Sequence, residues 1–335
     1  MAKVSIIGTG TWGIALGKLL IENGHEVAAW SALPQEIADL KRTHRNPNLP
    51  DVIIPYSMEF TEDLGKACTG MDLCVLAVPS IYTRSTARKM RPFIREGQLI
   101  VNVAKGIEEG TLKTLTEQVR EEIPQARCAV LSGPSHAEEV SVRIPTAVVA
   151  GAERREDAEK IQDIFMSPVF RVYTSPDVLG IETGGALKNV IALAAGISDG
   201  LGCGDNTRAA LMTRGMAEIT RLGLKMGGQQ ATFYGLSGIG DLIVTCNSMH
   251  SRNRRAGILI GQGMTPENAM KEVRMVVEGV YSAKAALALG RKYDVPMPIT
   301  EEVNRVLFEG KSAAQAVDDL MCREKKEEME SPLWK

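Results

Sequence analysis

Two kinds of apolar pattern divide the chain. As far as residue 175, short apolar runs rich in β-branched residues alternate with amphipathic segments. Such runs are typical of buried parallel strands, and segments with a 3.6-residue period are typical of helices that cover a sheet. The alternation predicts an α/β fold of the Rossmann type, with a doubly wound parallel sheet. The predicted strands are 4–7, 26–30, 73–78, 99–103, 128–131, 146–150 and 170–173, with helices ending near 23 and 94 and others at 111–123 and 155–165.

Strand patterns stop after residue 173, and helical periodicity continues alone. This change predicts a second, all-helical domain, so we expect a dinucleotide-binding domain at 1–175 and a substrate and catalytic domain at 176–335. The charged tail 323–330 is expected to be a solvated helix end or disordered. The predicted helices of the second domain are 183–197, 207–226, 266–273, 282–293, 300–308 and 313–321.

The predicted helix 183–197 is apolar nearly all round, yet it carries Lys188 with Asn189 beside it. A helix of this kind is buried on most sides, and lysine is almost never fully buried without a reason. Burial favours the neutral amine, which is a base. Lys188 is therefore a candidate proton acceptor. The alternative is a lysine whose stem lies on apolar surface while its amine reaches water.

Composition excludes several classes of function. The 335 residues are 44% hydrophobic and 24% charged, as in an ordinary soluble globular protein, and the net charge of −2 argues against general nucleic-acid binding. The six cysteines form no C-x-x-C pair and the four histidines no H-E-x-x-H motif, so we expect reduced thiols, a cytoplasmic protein and no metal site. We expect no signal peptide from the residues before the first strand, and no apolar run approaches the roughly 20 residues of a membrane span.

The first strand runs into the motif Gly8-Thr9-Gly10-Thr11-Trp12-Gly13, which opens a helix inside a βαβ unit. Gly8 permits the tight turn, Gly10 lets a pyrophosphate approach the backbone, and Gly13 allows close packing of helix and strand. The helix N-terminus then offers free N–H groups to the phosphates. This context predicts a dinucleotide site.

The second strand lacks the acid that usually binds the ribose of NAD, since Ser31 and Ala32 follow it. No arginine stands there for a 2′-phosphate either. Ser31 can hydrogen-bond with either cofactor, and Lys41, Arg42 and Arg45 lie further along the chain. The sequence therefore leaves NAD and NADP open, and the missing acid slightly favours NADP.

Lys105 and Ser135 each fall just beyond the end of a predicted strand. Ligands bind outside the carboxyl ends of the strands in such sheets, so both side chains are expected to face one crevice. The alternative for Lys105 is a solvated loop lysine.

Two loops of the helical domain carry candidate chemistry. Segment 235–245 is glycine-rich and carries Asp241, which could instead cap the helix that follows. Segment 247–255 holds Arg252, Arg254 and Arg255 after a serine that opens a helix. Arginine forks and a helix N-terminus together form an anion site, and the alternative is an exposed basic patch.

Taken together, these segments resemble one family, the bacterial-type NAD(P)-dependent glycerol-3-phosphate dehydrogenases. The likeness covers essentially the whole chain in order. The lysine-asparagine helix and the S-R-N-R-R loop are its most specific parts. The matching segments are 8–13, 104–106, 132–135, 184–190, 238–242, 251–255, 277–279 and 298–301.

The resemblance implies the reaction sn-glycerol 3-phosphate + NAD(P)⁺ ⇌ dihydroxyacetone phosphate + NAD(P)H, with supply of glycerol 3-phosphate for phospholipid synthesis. It also implies a homodimer. Ala32 stands where many members carry Arg or His, which puts tight NADP preference in doubt. The implied catalytic residues are Lys188, Lys105 and Asp241. The implied substrate contacts are Lys105, Gly133, Ser135, Lys188, Asn189, Asp241, Ser251, Arg252 and Asn253. The implied cofactor contacts are Gly8, Gly10, Thr11, Trp12, Gly13, Lys105, Ala137, Arg252, Val276 and Glu278.

The implied chemistry agrees with the residues. Oxidation of a secondary alcohol needs its hydroxyl proton removed as hydride leaves, and Lys188 can accept that proton if its pKa is lowered. Burial and the second cation, Lys105, lower the pKa, whereas Asp241 raises it, so we assign Asp241 to orientation of Lys188. Arg252 and Asn253 would hold the phosphate.

Two alternatives remain at this point. A β-hydroxyacid dehydrogenase would share the sheet, the helical domain and a lysine with a nearby asparagine, and would bind a carboxylate in the arginine loop. A nucleotide-sensing protein without catalysis would keep the fold alone.

Overall fold

A computed structural model describes residues 1–325, 327 and 328. Of the charged tail predicted at 323–330, residues 326, 329 and 330 lie outside the described residues. The others follow the last helix without forming helix or strand.

One eight-stranded sheet organises the first half, in the order β3-β2-β1-β4-β5-β6-β7-β8. All seven predicted strands are present. The prediction missed β3, whose three residues include a single apolar side chain, too short a pattern to show a period. The strands are β1 (Lys3–Ile7), β2 (Glu26–Trp30), β3 (Glu59–Thr61), β4 (Leu73–Leu76), β5 (Leu99–Asn102), β6 (Arg127–Ser132), β7 (Thr146–Ala152) and β8 (Phe170–Ser175).

Seven helices accompany the sheet. The sequence did not predict those at Pro34–Thr43, Leu64–Cys68 and Ala137–Ser141, and the helix predicted at 111–123 is shorter, at Leu115–Glu122. The helix expected to end near 94 is split by 3₁₀ turns at Ser80–Tyr82 and Arg91–Phe93, the second of which contains a proline. The helices are α1 (Thr11–Glu22), α2 (Pro34–Thr43), α3 (Leu64–Cys68), α4 (Thr83–Met90), α5 (Leu115–Glu122), α6 (Ala137–Ser141) and α7 (Arg155–Phe165).

The sheet is parallel except between β6 and β7, which run antiparallel. The expectation of a wholly parallel sheet is wrong at this one pairing. Helix α6, between the two strands, has five residues and rises only about 1.5 Å per residue. It is too short to carry the chain back across the sheet, so β7 starts at the edge where β6 ends.

The rest of the described chain is helical, as predicted. Helix α8 is longer than the predicted 183–197 because Asp177 caps it with a hydrogen bond to the Gly180 N–H. A π-helical turn, Leu236–Gly240, precedes α11. The helices are α8 (Val178–Gly200), α9 (Asp205–Met226), α10 (Gln230–Phe233), α11 (Asp241–Asn247), α12 (Arg252–Gly261), α13 (Pro266–Val273), α14 (Glu278–Lys292), α15 (Pro298–Phe308) and α16 (Ala313–Met321).

Helix α8 is the centre of this helical half. Among the described residues it is the one helix long and apolar enough to cross a membrane, yet 94% of its most apolar stretch is buried inside the protein. Helices α9, α11, α12 and α14 pack around it. Its all-round apolar surface is therefore explained by burial in the core.

Helices α8 and α12 approach each other unusually closely. A Cβ added to Gly196 would lie 2.2 Å from the Arg254 carbonyl oxygen, and one added to Gly257 would lie 2.3 Å from the Leu193 carbonyl oxygen. Only glycine permits this distance between the backbones. The crossing brings the first residues of α12 against the middle of α8.

Two carboxylates of the helical half hold the sheet half. Glu182 on α8 accepts hydrogen bonds from the Thr116 N–H (2.9 Å) and the Thr116 hydroxyl on α5. Glu278, the first residue of α14, accepts from the Ser80 N–H (3.1 Å) and the Ser80 hydroxyl, just beyond β4. Hydrogen bonds thus join the sheet half and the helical half at two places.

Candidate active site

Lys188 lies inside the protein, on the face of α8 that meets α11. The residue is only 6% exposed. Its Nζ donates hydrogen bonds to Asp241 Oδ1 (2.7 Å) and to Thr245 Oγ1 (2.6 Å). The alternative of an amine reaching water is therefore wrong.

Burial is the main cause that lowers the pKa of Lys188 to about 8. The Asp241 carboxylate opposes this shift, and the nearby Lys105 ammonium adds to it. A substantial fraction of the amine is therefore neutral near pH 8, which an ordinary lysine is not.

Asp241 joins the two lysines. Its Oδ1 accepts from Lys188 and its Oδ2 accepts from Lys105 Nζ at 2.5 Å. Burial alone would raise the pKa of Asp241, but the two ammonium groups outweigh it and lower that pKa. The capping alternative is wrong, because Gly240 occupies the N-cap position of α11 and Asp241 is its first residue.

Lys105 and Ser135 meet at one carbonyl beyond the sheet. Lys105 Nζ donates to the Gly133 oxygen at 3.0 Å, and Ser135 Oγ donates to the same oxygen at 2.9 Å. Gly133 has φ +147°, and a Cβ there would lie 2.9 Å from the Val148 backbone. The ends of β5 and β6 thus place a cation and a hydroxyl beside Asp241 and Lys188.

The S-R-N-R-R loop borders the same region. Ser251 caps α12 by accepting the Arg254 N–H at 3.2 Å. Asn253 is buried, and its Nδ2 donates to Asn189 Oδ1 at 2.9 Å while its Oδ1 accepts the Gly279 N–H at 2.8 Å. This chain of amides connects α8, α12 and α14.

The arginines of this loop have separate roles. Arg254 grips Asp199 through Nε (2.9 Å) and Nη2 (2.8 Å), and Arg208 binds the same carboxylate. Arg254 therefore joins α12 to α8, and it neither lines the site nor forms an exposed patch. The guanidiniums of Arg252 and Arg255 have no hydrogen-bond partner among the described residues, and the Nε of Arg255 is buried. Burial lowers the pKa of Arg252, while Glu278 and Glu138 raise it. Arg252 and Arg255 are thus both free of protein partners among the described residues and available to an anion.

The glycine turn has the shape that a dinucleotide requires. A Cβ on Gly8 (φ +121°) would lie 2.8 Å from the Ala77 backbone, and one on Gly13 would lie 2.0 Å from the Gly8 oxygen. A Cβ on Gly10 would meet nothing within 4 Å, so the backbone is open to approach there. Gly10 is the N-cap of α1 without a side-chain cap, which leaves N–H groups for phosphate.

Other residues expected to contact the cofactor lie at or just before the starts of α1, α6 and α14. Thr11 and Trp12 open α1, and Ala137 opens α6, which packs against α1. Glu278 opens α14 and accepts a hydrogen bond from the Ser80 N–H, and Val276 lies half-buried two residues before α14.

The sequence analysis missed two polar side chains of the site. Thr245 lies one helical turn after Asp241, and this i, i+4 spacing was the signal that could have found it. His136 lies next to Ser135, and its Nε2 is buried without a partner among the described residues. Burial, with Lys188 and Lys105 nearby, lowers the pKa of His136 to about 4, so the ring is neutral at physiological pH.

Comparisons with known proteins agree over the whole chain. Residues 3–158 match the family description NAD-dependent glycerol-3-phosphate dehydrogenase N-terminus, and residues 177–318 match the corresponding C-terminus. Two similar proteins are named glycerol-3-phosphate dehydrogenase [NAD(P)+]. The one from Agathobacter rectalis is 61% identical and covers 100% of both chains. The one from Fusobacterium nucleatum subsp. nucleatum is 57% identical and covers 99% of this chain and 100% of its own.

A solved structure supports the same assignment. The crystal structure of glycerol-3-phosphate dehydrogenase from Coxiella burnetii is 36% identical, with a TM-score of 0.93 over 96% of this chain and 99% of that one. Because both halves match the family and the relatives are similar over the full length, the chain belongs to the NAD-dependent glycerol-3-phosphate dehydrogenase family.

Proposed function

We propose that this protein is an NAD(P)-dependent oxidoreductase that interconverts sn-glycerol 3-phosphate and dihydroxyacetone phosphate. The observation that carries the proposal is the buried amine of Lys188, whose pKa is lowered to about 8 and which lies between Asp241 and Thr245. A base poised near neutral pH suits removal of a hydroxyl proton. The names of the relatives with 61% and 57% identity support the same reaction.

The proton is carried by Lys188. The nicotinamide cofactor, when bound, takes up or supplies the hydride at C2 of the substrate. In oxidation, neutral Lys188 accepts the proton of the C2 hydroxyl, and in reduction the protonated amine returns it to the carbonyl oxygen. Thr245 donates its own hydroxyl to the Asp241 carbonyl oxygen at 2.6 Å, which fixes the lone pair that receives the Lys188 hydrogen bond.

Asp241 and Lys105 complete the catalytic group. Asp241 holds both ammonium groups and so orients Lys188, while Lys105 supplies a second cation at the position where charge develops on the oxygen. Lys105 is also anchored to the Gly133 carbonyl, so its amine is positioned before substrate arrives.

The phosphate of the substrate is assigned to the N-terminus of α12. Ser251, Arg252 and Asn253 stand there, and Arg252 has its guanidinium unengaged. A helix N-terminus and an arginine fork both favour a phosphate. Binding the phosphate away from the reacting carbon positions C2 for hydride transfer. Gly133, Ser135 and Asn189 would line the remainder of the substrate pocket.

The cofactor is assigned to the glycine turn and to residues near the starts of α6, α12 and α14. The open backbone at Gly10 and the uncapped start of α1 fit a pyrophosphate. Thr11, Trp12, Lys105, Ala137, Arg252, Val276 and Glu278 would complete this site together with Gly8 and Gly13. We accordingly assign residues 1–175 to cofactor binding and residues 176–335 to substrate binding and catalysis.

We further propose a cytoplasmic homodimer that supplies glycerol 3-phosphate for phospholipid synthesis. These assignments extend the family relationship. Sedimentation of the purified protein tests the dimer: a molecular mass near twice 36.3 kDa is expected.

The decisive experiment measures NADH and NADPH oxidation with dihydroxyacetone phosphate, for the wild-type protein and for Lys188→Ala. We expect turnover by the wild type and a loss of roughly 10²- to 10⁴-fold in kcat for the variant, the usual contribution of a general acid-base residue. The matched control is Lys225→Ala, an exposed lysine in the last turn of α9, which should keep full activity.

Absence of turnover with either cofactor would refute the substrate assignment. Turnover of β-hydroxyacids in its place would favour a β-hydroxyacid dehydrogenase, and nucleotide binding without any turnover would favour a sensor. Activity that survives in Lys188→Ala would refute the role of this amine.

A further inference from the structure

A carboxylate is fixed at the carboxyl end of β2, although no acid directly follows that strand in the sequence. Ser31 comes immediately after β2 and is buried. Its Oγ donates to Glu36 Oε2 at 2.5 Å and accepts the Leu33 N–H at 3.2 Å. The Glu36 side chain, in the first turn of α2, is thus hydrogen-bonded at the end of the strand. The sequence pattern does not predict this carboxylate, because Glu36 lies five residues beyond Ser31 and only the fold brings the two together.

The basic residues further along the chain are directed elsewhere. Arg42 pairs with Asp39 at 2.7 Å, and Arg45 donates to the Pro50 carbonyl oxygen at 2.8 Å. Lys41 is exposed on α2, five residues after Glu36, which places it about 140° around the helix. No cation among these three is directed by a hydrogen bond toward the end of β2.

The start of α2 is also unsuited to a second anion. Proline occupies its first position and has no N–H to offer, and Glu36 places a negative charge in the first turn. An acid there satisfies the positive end of the helix dipole. A phosphate approaching this end would face the carboxylate of Glu36 at close range.

In Rossmann folds, an acid at the end of the second strand hydrogen-bonds the ribose 2′-hydroxyl of NAD, and a basic residue there accommodates the 2′-phosphate of NADP. We propose that Glu36, held in place by Ser31, substitutes for the missing strand-end acid and makes this protein prefer NAD(H) over NADP(H). The inference rests on the proposed function, because it concerns the same cofactor site. It reverses the slight preference for NADP that the sequence alone favours.

Calorimetric titration with NADH and NADPH tests the inference without relying on turnover. The variants are Glu36→Gln, which removes the charge, and Ser31→Ala, which removes the hydrogen bond that positions it. The control is Glu26→Gln, which removes an exposed carboxylate at the other end of the same strand.

We expect the wild type to bind NADH roughly tenfold or more tightly than NADPH, and Glu36→Gln to narrow this ratio mainly by strengthening NADPH binding. Ser31→Ala should narrow it less, and Glu26→Gln should leave it unchanged. A wild type that binds NADPH as tightly as NADH, or a ratio unchanged in Glu36→Gln, would overturn the inference. If neither nucleotide binds and dihydroxyacetone phosphate is not reduced with either, the proposed function itself fails, and the inference with it.

Discussion

At the scale of single residues, the site depends on the arrangement of three charged groups, Lys105, Lys188 and Asp241. Two ammonium groups surround one carboxylate, so the group carries a net positive charge before substrate binds. Burial favours loss of one proton, and Lys188, the more deeply buried of the two lysines, is the group from which it is lost. The same arrangement would attract a phosphorylated substrate and supply the base in the proposed reaction.

The pH dependence follows from the pKa of Lys188, which is about 8. Oxidation needs the neutral amine, so its kcat/KM should rise as pH increases through about 8 and level off above it. Reduction needs the protonated amine, so its kcat/KM should fall over the same interval. Initial rates in both directions from about pH 6 to about 10 check this prediction. Two profiles that change in the same sense through that interval would contradict it.

Asp241→Asn should shift these profiles. The carboxylate raises the pKa of Lys188, so its removal lowers that pKa, and the oxidation profile should reach half of its plateau at a lower pH than in the wild type. The plateau itself should drop by roughly tenfold or more, because Lys188 and Lys105 lose the group that positions them. The exposed Asp163 provides the control, and Asp163→Asn should change neither quantity. A profile that moves to higher pH would refute this account of the charges.

At the scale of elements, the crossing of α8 and α12 sets the position of the residues proposed to bind the phosphate. Gly196 and Gly200 on α8 lie against Gly257 and Gly261 on α12, at the four-residue spacing that keeps each pair on one helix face. The hydrogen bond between Asn189 and Asn253 depends on this close approach. Separation of the helices would move Asn253 and the start of α12 relative to Lys188.

Gly257→Ala should therefore affect both stability and substrate binding. The added Cβ would lie 2.3 Å from the Leu193 oxygen and 2.9 Å from Gly196 Cα, both backbone atoms that cannot rotate away. We expect a loss of roughly 1–3 kcal/mol in the free energy of unfolding and a higher KM for dihydroxyacetone phosphate. Urea unfolding and steady-state kinetics measure the two effects.

Gly204→Ala is the control for this substitution. Gly204 has an ordinary φ of −86°, and a Cβ there would meet nothing within 4 Å. Its KM should stay close to that of the wild type, and its free energy of unfolding should fall by less than about 1 kcal/mol, because alanine is a poorer N-cap for α9 than glycine. Equal behaviour of the two variants would show that the crossing tolerates a methyl group.

At the scale of the whole molecule, glutamates of the helical half join it to the sheet half by accepting hydrogen bonds from a Ser or Thr there. Glu182 does this at Thr116, and Glu278 does it at Ser80. Burial raises the pKa of both glutamates, so each is held at an energetic cost that only its hydrogen bonds offset. These hydrogen bonds join α8 to α5, and α14 to the segment that follows β4.

Glu182→Ala should destabilise the protein by roughly 1–3 kcal/mol, because the Thr116 N–H is left buried without an acceptor. Glu182→Gln keeps one acceptor oxygen and should lose less. The exposed Glu309 supplies the control, and Glu309→Ala should leave stability unchanged. Urea unfolding followed by circular dichroism measures the three midpoints. A wild-type midpoint in Glu182→Ala would show that this link contributes nothing.

Much of the architecture is encoded locally and can be predicted from the chain alone. Apolar runs of four to six residues between turns predict β1, β2 and β4 to β8, and the glycine spacing predicts the turn that opens α1, since these features depend on neighbours in sequence. The solitary charge on an otherwise apolar helix predicts Lys188 as the base. Family resemblance supplies the substrate.

Other features depend on residues that are far apart and leave no periodic signal. Lys105 and Asp241 are separated by 136 residues, and Lys188 and Asp241 by 53. The use of Arg254 to hold Asp199, and not an anion, follows only from the crossing of α8 and α12.

The antiparallel β7 and the return of Glu36 to the end of β2 belong to the same class. The chain by itself sets which segments are strands, helices and turns, because those follow from periods of two and 3.6 residues. Folding in three dimensions sets which charges meet and which arginines stay unpaired among the described residues, because those depend on distances that no local pattern contains.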